Sequence, residues 1–373
     1  MDVYQELAYH LDGLPGGFPP TESGVELRIL RRLFTPEEAE MALHLTLLPE
    51  EPRVVARRAK LTSEEAASRL EDMAKKGLIL RVESKKGQMT YMAAQYVVGI
   101  WEYQVNRLNP EIARDMGEYL PTLLNFDEWQ KVPQLRTIPV AESIDSQLEV
   151  TSYERAEELV RSAKKIVVAH CICRRERRLM NEGCDKPLES CFVLGEGADY
   201  YERNGLGRVI DQQEALAFLQ RANEVGLVLQ PGNGKKASFL CCCCGCCCGV
   251  LRNIKRHPQP ASIVSTPFIA IADPETCKGC GVCVKRCQME ALQLRDKKVA
   301  LNVDRCIGCG LCVSTCPTGS LTLSRKRTSE QALVPGSYTQ ALINLARKRG
   351  KLRITNLITM LVKSGVDRLL AAR

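Results

Sequence analysis

Two cysteine runs of identical spacing, offset by 29 residues, constrain this chain more than any other feature. Cys277-x2-Cys280-x2-Cys283-x3-Cys287 returns as Cys306-x2-Cys309-x2-Cys312-x3-Cys316-Pro317. The repeat runs on into Ala291-Leu292-Gln293-Leu294, matched by Ser320-Leu321-Thr322-Leu323. Thiolates are soft ligands and suit iron in a sulfide cage or zinc. Gly279, Gly281, Gly308 and Gly310 let the backbone wrap closely and aim amides at the sulfurs. Zinc is the competing occupant, since the C-x2-C pairs could hold two zinc ions. The x3-Cys-Pro ending and the repeat argue for iron and sulfide.

The spacing resembles that of bacterial two-cluster ferredoxins over residues 269–324. That resemblance implies two [4Fe–4S] clusters. It implies Cys277, Cys280, Cys283 and Cys316 as ligands of one, and Cys306, Cys309, Cys312 and Cys287 as ligands of the second. One departure stands out: Gln288 follows Cys287, where the second run has Pro317. It is expected to affect the turn or the potential more than the ligation.

Nineteen cysteines in 373 residues also speak to compartment. A disulfide scaffold would leave one thiol over, and Met1-Asp2-Val3-Tyr4-Gln5-Glu6 has neither the basic nor the apolar region of a secretory leader. A reducing cytoplasm, with thiolates committed to metal, is the expectation. No apolar run is long enough to span a membrane as a helix. An apolar content of 45% excludes a wholly disordered chain.

Eleven further cysteines lie between residues 171 and 248. His170-Cys171-Ile172-Cys173-Arg174-Arg175, with Cys184 and Cys191, gives C-x-C-x10-C-x6-C. These four could hold a third iron–sulfur cluster or a zinc, with Arg174 and Arg175 offsetting its negative charge. Cys241-Cys242-Cys243-Cys244-Gly245-Cys246-Cys247-Cys248 follows. Alternate side chains of an extended run face opposite ways, so seven adjacent thiols cannot all reach one metal. Cys241 and Cys243 are expected on one side, Cys242 and Cys244 on the other. Buried free thiols are the bland alternative. Cys243-Cys244-Gly245 resembles the Cys-Cys-Gly elements of heterodisulfide-reductase-type proteins over three residues, without that family's wider spacing.

The rest of the chain reads as α+β and multidomain. Residues 1–34 are a lead-in, irregular over Gly13 to Gly24. Residues 35–92 hold two capping boxes, at Thr35-Pro36-Glu37-Glu38 and Thr62-Ser63-Glu64-Glu65, with a short helix between them. Strands follow at Leu78 to Val82 and Met89 to Met92, joined by a turn at Lys85-Lys86-Gly87. Three helices and a β-hairpin resemble a winged helix. The third helix, with Glu64, Glu65, Glu71 and Asp72, is too acidic for a phosphate-facing reader and argues against DNA. Residues 93–150 form a helical connector, 151–268 a cysteine-rich α/β domain and 325–373 a basic helical tail. From Leu321 to Arg373 the net charge is +9, against +8 for the whole chain. That tail suits an acidic redox partner.

The layout as a whole resembles long, multi-cysteine ferredoxin-like proteins of strict anaerobes. That arrangement implies iron–sulfur electron transfer and names no reaction, so whether the chain is an enzyme stays open. Three functions fit. The first is a carrier passing low-potential electrons through two clusters to or from a metal centre in the middle domain. The second is a reductase with a catalytic, non-standard cluster there. The third is a redox-responsive winged-helix transcription regulator.

Overall fold

Capping boxes set the helix starts in the N-terminal part. Thr35 accepts from the Glu38 N–H while Glu38 returns to the Thr35 N–H, opening Pro36–Leu43. Thr62 and Glu65 do the same for Ser63–Lys75. Pro52–Ala59 lies between. The computed structural model describes residues 1–84, 86–351 and 354–371. An antiparallel hairpin follows the helices, β1 (Ile79–Glu83) paired with β2 (Met89–Ala93). Lys85 of its expected turn lies outside the described residues.

The lead-in is more ordered than its glycines and prolines suggest. Asp2 and Gln5 form a further capping box that starts Val3–Asp12, and a second helix runs Val25–Leu33. Leu7, Val25, Ile29 and Leu30 are fully buried there. Contacts gather residues 1–123, 203–206 and 342–373 into one unit and 124–202 and 207–341 into another. The first unit therefore takes in the lead-in, half of the expected connector and most of the tail. Its last helix, Ile354–Leu370, is fastened there by Ser364 and Asp367. Ser364 donates to Glu50 at 2.6 Å, and Asp367 meets Arg58 at 2.6 Å. Lys351 and Arg349 both pair with Asp12. Much of the tail's charge is thus engaged within the fold.

The second unit is built on a five-stranded sheet of order β5-β3-β4-β7-β6, with every neighbouring pair antiparallel. The strands are β3 (Ile166–His170), β4 (Glu189–Leu194), β5 (Gly207–Ile210), β6 (Val228–Pro231) and β7 (Phe239–Cys243). Helices Ala156–Ser162 and Gln212–Glu224 pack against each other in this unit. Residues 135–138 extend this layer by bridges to Gly232, Leu229 and Ser265.

The repeat belongs to the same unit. Its strands are β8 (Phe268–Ala272), β9 (Leu292–Arg295), β10 (Lys298–Leu301) and β11 (Leu321–Arg325). β8 pairs with β11 and β9 with β10. Each pair joins one half of the repeat to the other. The mixed content of helix and sheet makes the chain α+β.

Candidate metal centres

The crossed strand pairs carry each cysteine loop against the opposite half. Gly279 has φ +70°, and a Cβ there would sit 2.3 Å from the Lys297 carbonyl oxygen. Gly308, its repeat equivalent, has φ +64° and would meet the Phe268 carbonyl oxygen at the same 2.3 Å. Only glycine fits at either place. The two loops therefore close by the same contact, made in opposite directions.

Two cavities result. One is lined by Cys306, Cys309, Cys312 and Cys287. The other is lined by Cys277, Cys280, Cys283 and Cys316. Each brings three cysteines of one run to the last cysteine of the other. The donor set suits a sulfur-ligated cluster. Backbone N–H groups of Gly279, Ala291 and Ala270 donate to the sulfurs of Cys277, Cys287 and Cys306 at 3.3, 3.2 and 3.4 Å. Such amides offset charge on ligated sulfur. Burial pushes the Cys309 thiol up to about 12 and those of Cys283, Cys306 and Cys312 upward as well. Uptake of metal must therefore displace protons. Cys280, at the second cavity, is exposed.

The other eleven cysteines divide differently from their order in the sequence. Cys191 on β4 stands opposite Cys241 on β7, so both share a face with Cys243. Thiol hydrogen bonds continue the row from Cys241 to Cys243, Cys248, Cys173 and Cys171. Cys171 and Cys248 sit at the N-caps of Ile172–Leu179 and Gly249–Arg256, and hydrogen bonds with neighbouring thiols together with burial hold both thiols well above their ordinary value. Hydrogen bonds from Cys241 and Cys248 pull the Cys243 thiol down to about 6. Gln230, on β6, adds an amide 3.9 Å from the Cys248 sulfur.

Cys184 leaves the set C-x-C-x10-C-x6-C and joins Cys244, Cys246 and Cys247. The four sulfurs lie within 4.8 Å of one another. Cys171, Cys173, Cys184 and Cys191 thus do not assemble as one group, because β4–β7 pairing fixes Cys191 to Cys241 while Cys184 lies in the loop before β4. Cys242 is buried on the other face of β7, and burial takes its thiol to about 12. Cys244 lies past the strand end, so its partner is Cys184 rather than Cys242.

Two residues tie these groups together: Arg174, expected from the sequence to offset a metal centre's charge, and Gln288, expected to affect a turn or a potential. Arg174 is fully buried. It donates to the carbonyls of Pro187 (2.7 Å) and Cys242 (2.7 Å) and to the Ser190 hydroxyl. Its guanidinium faces Cys171, Cys243 and Cys244. Gln288, the departure from the repeat, accepts the Gly245 N–H on Oε1 at 2.7 Å.

A chain with this repeat, these paired cavities and a second cysteine-rich group contains an iron–sulfur, metal-binding segment of ferredoxin type and has the make-up of an electron-transfer protein. Residues 269–317 match the family model of the 4Fe-4S dicluster domain. No curated protein and no solved structure matches the chain. No helix among the described residues is long and apolar enough to cross a membrane.

Proposed function

We propose that this protein carries low-potential electrons by way of two [4Fe–4S] clusters and exchanges them with the cysteine-rich sheet of the same unit. Cys277, Cys280, Cys283 and Cys316 hold one cluster; Cys306, Cys309, Cys312 and Cys287 hold the second. The observation that carries this reading is the lining of the two cavities, four cysteines each, with the last cysteine exchanged between halves. Bound there, the cubanes supply one-electron transfer.

The chain's own groups do the rest. Amides of Gly279, Ala291 and Ala270 stabilise negative sulfur. Ala270, Leu292, Leu301 and Ile307 keep water from the inner cavity. Gln288 fastens the residue after Cys287 to the run Cys244–Cys248. Cys280 opens the other cavity to solvent, and exposed Lys278, Lys285, Arg295 and Lys297 lie in the same segment. Asp273, Glu275, Glu290 and Asp296 are exposed in that segment too, so its surface is mixed in charge, and a protein partner exchanges electrons at Cys280.

The test is iron and acid-labile sulfide on the full chain, purified without oxygen. About eight of each in the dicluster segment is the expected content. An absence of acid-labile sulfide overturns the proposal.

A further inference from the structure

The spacing of the sulfurs separates the Cys184 group from the cavities of the repeat. Cys184 lies 3.8 Å from Cys244 and 3.6 Å from Cys247, and Cys246 lies 3.8 Å from Cys247. Four sulfurs at about 2.3 Å around one tetrahedral ion stand about 3.8 Å apart. A disulfide would need about 2.05 Å. A cubane places four irons and four sulfides between its ligands and holds them further apart. Among the described residues, the cysteines of the repeat form no group as compact as this one.

Charge points the same way. Arg174 is a wholly buried cation held by two carbonyls, a hydroxyl and the Cys244 sulfur. A buried cation needs a compensating anion. Four thiolates on a divalent ion leave two negative charges and would provide it. Arg177 also faces Cys246 and Cys247. Arg178 holds the Cys184 carbonyl with two nitrogens, at 3.3 and 3.1 Å, which fixes the loop that delivers this ligand. The other three come from one turn, closed by the Cys248 N–H on the Cys244 carbonyl at 3.0 Å.

We propose that Cys184, Cys244, Cys246 and Cys247 hold a single tetrahedral metal ion, zinc or iron, without bridging sulfide. This site joins the loop before β4 to the turn after β7. That turn is the one Gln288 contacts, so the ion fixes the surface on which the end of the first cysteine run of the repeat rests. Cys171, Cys173, Cys191, Cys241, Cys243 and Cys248 are left as a separate thiol row. The reading does not depend on the repeat binding clusters.

The experiment compares total zinc, iron and acid-labile sulfide in the full chain with those in Cys184→Ser, Cys246→Ser and Cys242→Ala. Sulfide reports clusters only, so an ion without sulfide appears as metal in excess of sulfide. About one such ion per chain is expected in the unmodified protein and in Cys242→Ala. It should fall at least tenfold in both serine variants, with sulfide unchanged. Zinc and iron analysis distinguishes the two ions. Growth with cobalt should place a cobalt ion there with the visible spectrum of a tetrahedral thiolate site, absent from Cys246→Ser. Loss of sulfide together with metal in Cys184→Ser would make the site a cluster and overturn the proposal. So would an unmodified chain with no metal beyond its sulfide.

Discussion

The Oε1 of Gln288 accepts the backbone N–H of Gly245 at 2.7 Å, which joins the residue after Cys287 to the middle of the run Cys241–Cys248. The approach is close: a Cβ on Gly245 would lie 2.3 Å from the Gln288 carbonyl oxygen. The side chain that breaks the Cys-Pro pattern is thus the one that makes this contact. Gln288→Pro restores the pattern and removes the acceptor. Iron and sulfide should stay at the unmodified level, while the Gly245 amide exchanges with solvent about tenfold faster, the effect of losing about 1.4 kcal/mol of local protection. Hydrogen exchange on the intact chain measures this. Unchanged exchange at Gly245 would show that the contact holds nothing in place.

The exchange of the last cysteine between halves gives a test by non-additivity. Cys287 lines the cavity of Cys306, Cys309 and Cys312, although it belongs to the other run. Cys287→Ala and Cys309→Ala should each weaken the same cluster, and the double variant should lose no more than the worse single one. In each, iron falls from about eight towards about four, and the surviving electron paramagnetic resonance signal is the same. Cys280→Ala should leave the complementary signal. If Cys287→Ala instead matched Cys280→Ala, the assignment by cavity would be wrong.

Local spacing made the repeat legible, and long-range pairing hid the rest. The C-x2-C-x2-C loops and the two Thr-Glu capping boxes are short-range signals; both capping boxes form, and each cavity of the repeat is lined by three cysteines of one run and the last of the other. Cys184 could not be paired with Cys244 from spacing, because the β4–β7 register decides which cysteines face each other. The alternation of Cys241, Cys242 and Cys243 follows from an extended backbone, but where that strand ends did not show. A run of cysteines has no apolar–polar alternation to read. The lead-in helices were obscured by Gly13 to Gly24, although Asp2 and Gln5 carried a cap signal. The basic tail looked free because the partners of Lys351 and Asp367, Asp12 and Arg58, lie some three hundred residues away.

In the first unit, Glu50 is a buried carboxylate held by Arg58 at 2.6 and 2.7 Å and by Ser364 at 2.6 Å. Burial pushes its carboxyl up, but Arg58, Ser364 and Thr46 outweigh that and hold it below 4.5. Its folded value is therefore depressed. The stability it contributes is present above the ordinary carboxylate range and is lost as pH falls through the folded value. Arg58→Met leaves the charge buried and unpaired and should cost about 3–5 kcal/mol near neutral pH. Thermal melts from pH 7 down to pH 3 should show the unmodified unit losing stability at the acid end. The variant should have little left to lose there, because protonation relieves its unpaired charge. A parallel decline in both proteins would remove Glu50 as the cause.

Arg174 sits between the thiol row and the four-sulfur group, and its removal should be felt as a change in proton competition. The Cys244 thiol is drawn down to about 4, first by its hydrogen bond from Cys247 and then by the nearby guanidinium. A positive charge favours thiolate, so removing it raises the thiol and makes a metal ion compete with protons at higher pH. Arg174→Met keeps most of the volume and removes the charge. Cobalt uptake followed against pH should shift its midpoint upward, and the bound ion should be lost to a chelator at least tenfold faster. Arg174→Lys keeps the charge without the planar fork that reaches Pro187, Ser190 and Cys242, so it should recover the pH midpoint more than the retention. A Met variant with an unmoved midpoint would mean that Arg174 holds the loop by its hydrogen bonds alone.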